Sequence, residues 1–75
     1  MKEIVEFIAK SIVNAPADVV VTEESSERGV LIKLQVANED KGRVIGKQGK
    51  VAEAMRTLLR VAAARAGTKV TLEIV

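Results

Sequence analysis

The residues with the clearest chemical potential form one run, residues 42–50, which reads Gly-Arg-Val-Ile-Gly-Lys-Gln-Gly-Lys. Two glycines three positions apart, Gly46 and Gly49, permit positive φ angles and let another backbone approach without a Cβ in the way. Lys47 and Lys50 add positive charge at the same place. The run offers nothing for acid–base or nucleophilic catalysis, but it is suited to binding a phosphodiester backbone at a helix N-terminus.

The composition excludes most catalytic chemistry. The chain of 75 residues has no Cys, His, Trp or Tyr, so it lacks thiolate and imidazole groups and the commonest metal ligands. We therefore predict that the protein is not an enzyme and has no catalytic residues, metal, cofactor or small-molecule substrate. No apolar run is long enough to span a membrane, and the acids and lysines of residues 2–6 do not fit a secretory signal. We expect a cytoplasmic protein without a membrane partner.

The charge is distributed unevenly along the chain. Residues 1–40 contain four basic and eight acidic residues, whereas residues 41–75 contain eight basic and two acidic ones. Such polarity produces a local positive field and favours an anionic partner, although cations that merely solvate a helix face would give the same count.

The hydrophobic periodicity predicts the element order α-β-β-α-α-β. The segments are a helix over 2–14, strands over 19–22 and 30–36, a short helix that starts at 38–41 with a capping side chain, a helix over 50–66 and a strand over 68–75. The first two strands form an antiparallel hairpin, and the last two flank a helical crossover that allows parallel pairing. We predict an α+β fold in which three helices cover one face of a three-stranded mixed sheet.

With its glycine run between two helices, the chain resembles the type II KH RNA-binding domains. Residues 44–50 are similar to the V-I-G-K-x-G-K signature of that family, and the resemblance covers residues 1–75 as a single KH domain. In this extent it resembles the small single-KH bacterial proteins called KhpA. The resemblance implies a non-catalytic protein that grips single-stranded RNA through a GxxG loop. It also implies an RNA chaperone or post-transcriptional regulator that acts with a KhpB-like partner and is linked to cell shape and peptidoglycan homeostasis.

The resemblance also implies which residues bind RNA. The two glycines of the loop would clamp the RNA backbone, the pair between them would face phosphates, and the apolar pair before them would form part of a floor under the bases. The implied RNA-binding residues are Arg43, Val44, Ile45, Gly46, Lys47, Gln48, Gly49 and Lys50, with Lys33, Lys41 and Arg56 as secondary candidates. The only aromatic residue, Phe7, belongs to the first helix, so we expect little sequence preference and a visible salt dependence.

The glycines are compatible with two other kinds of structure. Gly46 and Gly49 also fit a plain turn between helices. A nucleotide-binding P-loop is disfavoured because the spacing from Gly42 to Gly46 is one residue too short and Gln48 replaces the Ser or Thr that holds magnesium.

The long third helix carries a second feature. Its apolar arc is too wide for one contact, so we expect one flank, which includes Met55 and Leu58, to pack on the sheet. The other flank consists of Ala52, Leu59 and Ala63. It either lies under another helix or forms a subunit interface of a homodimer. The alternative function is therefore a protein-interaction subunit that dimerises through this helix and has a vestigial nucleic-acid loop.

Overall fold

The computed structural model describes residues 1–75 and confirms the predicted element order. The elements are α1 (Lys2–Ile12), β1 (Val20–Ser26), β2 (Gly29–Gln35), α2 (Lys41–Ile45), α3 (Lys50–Ala66) and β3 (Val70–Ile74). Single 3-10 turns cover Pro16–Asp18, Asn38–Asp40 and Lys47–Gly49. None of the helices combines the length and the apolar character that crossing a bilayer requires.

The three strands form one mixed sheet in the order β1-β2-β3. β1 and β2 are antiparallel, with Val20 opposite Gln35, and β2 and β3 are parallel, with Ile32 opposite Leu72. Both pairings were predicted. β1 and β3 are the edge strands, and α3 contacts β3.

The helices and strands end where local chemistry requires. α1 stops at Ile12, shortly before Pro16, which cannot continue the helical hydrogen bonds. α3 stops at Gly67, whose left-handed conformation closes the last turn. β1 extends to Ser26, four residues beyond the prediction, because its polar second half pairs with β2 through the main chain and gives no apolar signal.

The core lies between the helices and one face of the sheet. Ile32 and Leu34 of β2 are fully buried, and they pack in one cluster with Val5 of α1 and with Met55 and Leu59 of α3. Successive side chains of a strand alternate between its two faces. The β2 residues that alternate with Ile32 and Leu34 therefore point to the other face of the sheet, which no helix covers. The prediction of one covered and one open face is therefore confirmed.

Candidate nucleic-acid interface

The turn between α2 and α3 is built on left-handed backbone. Gly46, Gln48 and Gly49 have φ angles of 78°, 59° and 74°. The Gly46 amide donates to the Gly42 carbonyl at 2.8 Å, and the Gly49 amide donates to the Gly46 carbonyl at 3.1 Å. These bonds make residues 46–49 a defined turn that leads directly into α3, whose N-terminus no side chain caps.

The two glycines of this turn are required for different reasons. A Cβ on Gly46 would lie 2.5 Å from Cγ2 of Val51, so this glycine lets the turn pack on the first turn of α3. A Cβ on Gly49 would meet nothing within 4 Å, so glycine is favoured here only because the φ angle is positive. Space is therefore left on the outer side of the turn at Gly49, where a ligand backbone can approach.

The polar residues of the turn are exposed and free of carboxylates. Lys47, Gln48 and Lys50 are all exposed, and neither lysine has an acidic partner within 4.0 Å. Ile45 is 42 % exposed beside them and offers an apolar contact. Val44 is different: it is fully buried, so the expectation that it forms a floor under the bases is wrong, and it supports the turn from the core.

Arg43 is held by a buried carboxylate that the sequence did not reveal. Asp40 is the only buried charged residue, and its carboxylate accepts hydrogen bonds from the amides of Asn14 and Ala15, each at 3.1 Å. Nε of Arg43 lies 3.6 Å from Oδ1 of Asp40. Asp40 was interpreted as part of a helix start, but α2 has no side-chain cap, and this residue links the end of α1 to the start of α2 instead.

A cleft of about 240 Å³ lies between α3, which the turn leads into, and β3. The two-residue connection after Gly67 reverses the chain, so β3 runs back towards the turn beside α3. Arg56 and Arg60 line the helix side of the cleft, and residues 70–72 line the strand side. Arg56 was a predicted candidate. Arg60 was missed, although its i+4 spacing from Arg56 was available as a signal.

Of the two remaining candidates, Lys41 lies near the turn and Lys33 does not. Lys41 is exposed at the start of α2, one helical turn before Ile45, so it belongs to the same element as the turn. Lys33 lies between two buried residues of β2 and therefore on the open face of the sheet. The structure does not bring Lys33 together with the turn.

Of the two alternatives for one flank of α3, the structure supports the one in which the flank packs inside the protomer, and the subunit interface at that flank is wrong. Ala52, Leu59 and Ala63 are buried within the protomer, so they are not available to a second subunit. The exposed large apolar residues of α3 are Leu58 and Val61, at 48 % and 51 % exposure. Met55 is buried as predicted, but Leu58 of the same flank does not pack on the sheet, because the wheel does not contain the direction from which α1 and the sheet approach the helix.

The chain matches known proteins over its whole length. Residues 2–74 match the family model described as KhpA/KhpB, KH domain. The protein named RNA-binding protein KhpA of Clostridium perfringens is 49 % identical over 75 residues, covering 100 % of both chains. Its namesake of Aquifex aeolicus is 45 % identical over 74 residues, covering 99 % of this chain and 94 % of its own. No solved structure gives a significant match. The chain therefore belongs to the KhpA/KhpB family of KH-domain proteins.

Proposed function

We propose that this protein binds single-stranded RNA, with the RNA backbone against residues 46–49 and the following nucleotides in the cleft between α3 and β3. One observation carries the proposal: an exposed turn with two unpaired lysines leads into α3, and a cleft beside that helix is lined by two arginines. Relatives covering the full chain are named RNA-binding proteins, which supports RNA as the ligand.

Phosphate contacts supply most of the affinity in this arrangement. Lys47 and Lys50 carry charges without acidic partners, and Arg43 keeps its terminal guanidinium nitrogens free while Nε faces Asp40. Single-stranded RNA loses affinity with a slope of about −0.7 per neutralised phosphate on a double-logarithmic salt plot. Because Phe7 lies on α1, which packs over β1, no aromatic ring is available near the cleft for base stacking. Binding is therefore tolerant of sequence.

The test of this proposal is a charge reversal on the turn. Lys47→Asp with Gln48→Asp places two carboxylates where phosphate would lie, and both positions are exposed, so the fold is retained. The matched control is Lys10→Asp with Ser11→Asp on α1, which changes the net charge by the same amount at two exposed positions. Binding is measured by anisotropy of a labelled, unstructured tetranucleotide at two salt concentrations.

We expect the turn variant to lose more than about ten-fold in affinity, since one of several phosphate contacts is replaced by repulsion, and the control to change less than about three-fold. Equal losses in both variants would mean that only the overall charge matters. Unchanged binding and an unchanged salt slope in the turn variant would refute the assigned site.

We also propose, from the family resemblance, that the protein acts as an RNA chaperone or post-transcriptional regulator with a KhpB-like partner in the cytoplasm, in processes that set cell shape and peptidoglycan homeostasis. The test is cross-linking to RNA in cells, comparing the natural protein with the Lys47→Asp, Gln48→Asp variant. Recovery of the same RNAs by both proteins would show that RNA binding in cells does not depend on the turn.

A second candidate function is self-association through the outer face of α3. Leu58 and Val61 lie one helical turn apart on α3 and are 48 % and 51 % exposed, so adjacent apolar side chains are open to a partner. Leu58→Asp should convert a dimer into a monomer, because it places a charge in an apolar contact, whereas Lys10→Asp should not. Native mass spectrometry measures the outcome, and a monomeric natural protein would refute this role.

A further inference from the structure

We propose that the RNA path does not end in the cleft between α3 and β3 but continues to a distal cationic site formed by Arg28 and Lys69. This inference rests on the proposed function, because it extends the same strand. Arg28 lies in the turn between β1 and β2, and Lys69 lies in the connection between α3 and β3. The ligand is the phosphate backbone of nucleotides beyond those held near the glycine turn.

The depressions along this side of the molecule are contiguous. The cleft beside Arg56 shares Arg60, Val70 and Thr71 with a second depression that reaches Thr68 and Lys69. A third depression shares Thr68 and Lys69 with the second and is completed by residues 27–29. A strand leaving the cleft therefore meets a continuous channel that leads over the end of α3 to the hairpin turn.

A close backbone contact holds the two segments that carry the distal cations beside each other. The amide of Val30 donates to the carbonyl of Lys69 at 2.8 Å. A Cβ on Gly29, whose φ is 124°, would lie 2.6 Å from that carbonyl oxygen, so only glycine allows this approach. The hairpin turn is thus docked on the α3–β3 connection, and Arg28 and Lys69 line the same depression.

The charge of the distal site suits an anion despite the nearby end of α3. Neither Arg28 nor Lys69 has a carboxylate within 4.0 Å, and Glu27 is the only acid in the lining. A helix C-terminus repels anions through its free carbonyls. Here the carbonyls of Ala63 and Ala64 already accept hydrogen bonds from the amides of Thr68 and Gly67, at 2.9 and 3.2 Å.

The length of the path decides which nucleotides reach the distal site. α3 has 17 residues, which corresponds to about 25 Å at 1.5 Å per residue. Four nucleotides at a stacked spacing of about 3.4 Å cover roughly 14 Å, and at twice that spacing they cover roughly 27 Å. At the stacked spacing a bound tetranucleotide ends about halfway along α3, and at the wider spacing it just spans the helix, so the nucleotides after the fourth are the ones expected at Arg28 and Lys69.

The experiment measures affinity as a function of strand length. Oligouridines of four, six and eight nucleotides are titrated against the natural protein, against Arg28→Ala with Lys69→Ala, and against Lys2→Ala with Lys10→Ala. The last pair is the matched control, because it removes two charges from α1, which packs over β1 at the opposite side of the sheet from β3. Native mass spectrometry reports how many protomers hold each strand.

We expect the natural protein and the α1 control to bind the octamer more tightly than the tetramer. The distal variant should lose roughly 25-fold for the octamer at 0.1 M salt, the product of two contacts of about five-fold each, and its salt slope should be shallower by about 1.4. Its tetramer affinity should stay within about two-fold.

Other outcomes overturn the inference. No gain with length in the natural protein, equal loss at all three lengths in the distal variant, or an octamer shared by two protomers would each exclude the distal site while leaving the glycine turn in place. Failure of the natural protein to bind any length would instead overturn the proposed function and this extension together. If the tetramer binds and its binding depends on Lys47 and Gln48, the proposed function stands even where the distal site is excluded.

Discussion

Replacement of Asp40 tests whether its buried carboxylate stabilises the fold by joining the segment after α1 to the start of α2. Asp40→Ala removes a fully buried carboxylate and leaves the amides of Asn14 and Ala15 without their acceptors. Asp40→Asn keeps the shape and one acceptor oxygen, but it places an amide nitrogen against one of the two donors. Asp40→Ala should therefore be the more damaging of the two changes.

The magnitude follows from the lost hydrogen bonds. Two amides that lose a charged acceptor cost about 1–2 kcal/mol each when they are part-buried, so Asp40→Ala should lower the free energy of unfolding by about 2–4 kcal/mol. Asp40→Asn should lower it by about 1–2 kcal/mol. A 75-residue domain has roughly 4–11 kcal/mol in total, so the alanine variant loses a large fraction of its stability.

The assay is urea unfolding followed by far-ultraviolet circular dichroism, because the chain has no Trp or Tyr for fluorescence. Arg43→Ala is the control: it removes the 3.6 Å contact to Asp40 from a half-exposed side chain and should cost less than about 1 kcal/mol. An Asp40→Ala variant within about 0.5 kcal/mol of the natural protein, with an unchanged m value, would refute this account of the buried carboxylate.

The remaining predictions concern the turn and the cleft. Gly46→Ala should destabilise the fold by about 2–4 kcal/mol, because it adds overlap with Val51 to the strain of a positive φ. Gly49→Ala adds only the strain and should cost about 1 kcal/mol. Urea unfolding of both variants measures the difference, and equal losses of stability would contradict this prediction. Arg56→Ala should weaken tetranucleotide binding about five-fold and reduce the salt slope by about 0.7. Anisotropy at several salt concentrations checks this, and an unchanged slope would exclude a phosphate contact at Arg56.

The fold was accessible from the sequence because its signals are local. The alternation in residues 30–36, Pro16 after α1 and Gly67 after α3 fix the strand and helix ends by chemistry that acts within a few positions. The spacing of Gly46 and Gly49 likewise identified the turn. The structure adds that one of these glycines packs against α3 and the other does not.

The missed features depend on contacts between distant parts of the chain. Asp40 binds amides 25 and 26 residues away, and no pattern near Asp40 reports them. α2 is only about one turn long and presents one side to α3. Val44 lies on that side and is buried, whereas its apolar neighbour Ile45 does not lie there and is exposed. Leu58 was wrongly assigned to the sheet side of α3 for the same reason: a wide apolar arc fits two directions of packing equally well.

The geometry of α3 makes RNA binding and self-association compatible. Arg56 and Leu58 are two positions apart and so about 200° apart around the helix, on opposite sides of its axis. A contact through Leu58 and Val61 would therefore leave both clefts of a dimer open. Two linked clefts raise the affinity for a long strand through effective concentration without any new contact. Leu58→Asp should then weaken binding of a strand of about 30 nucleotides far more than binding of a tetranucleotide, and equal effects at both lengths would exclude cooperation between the two clefts.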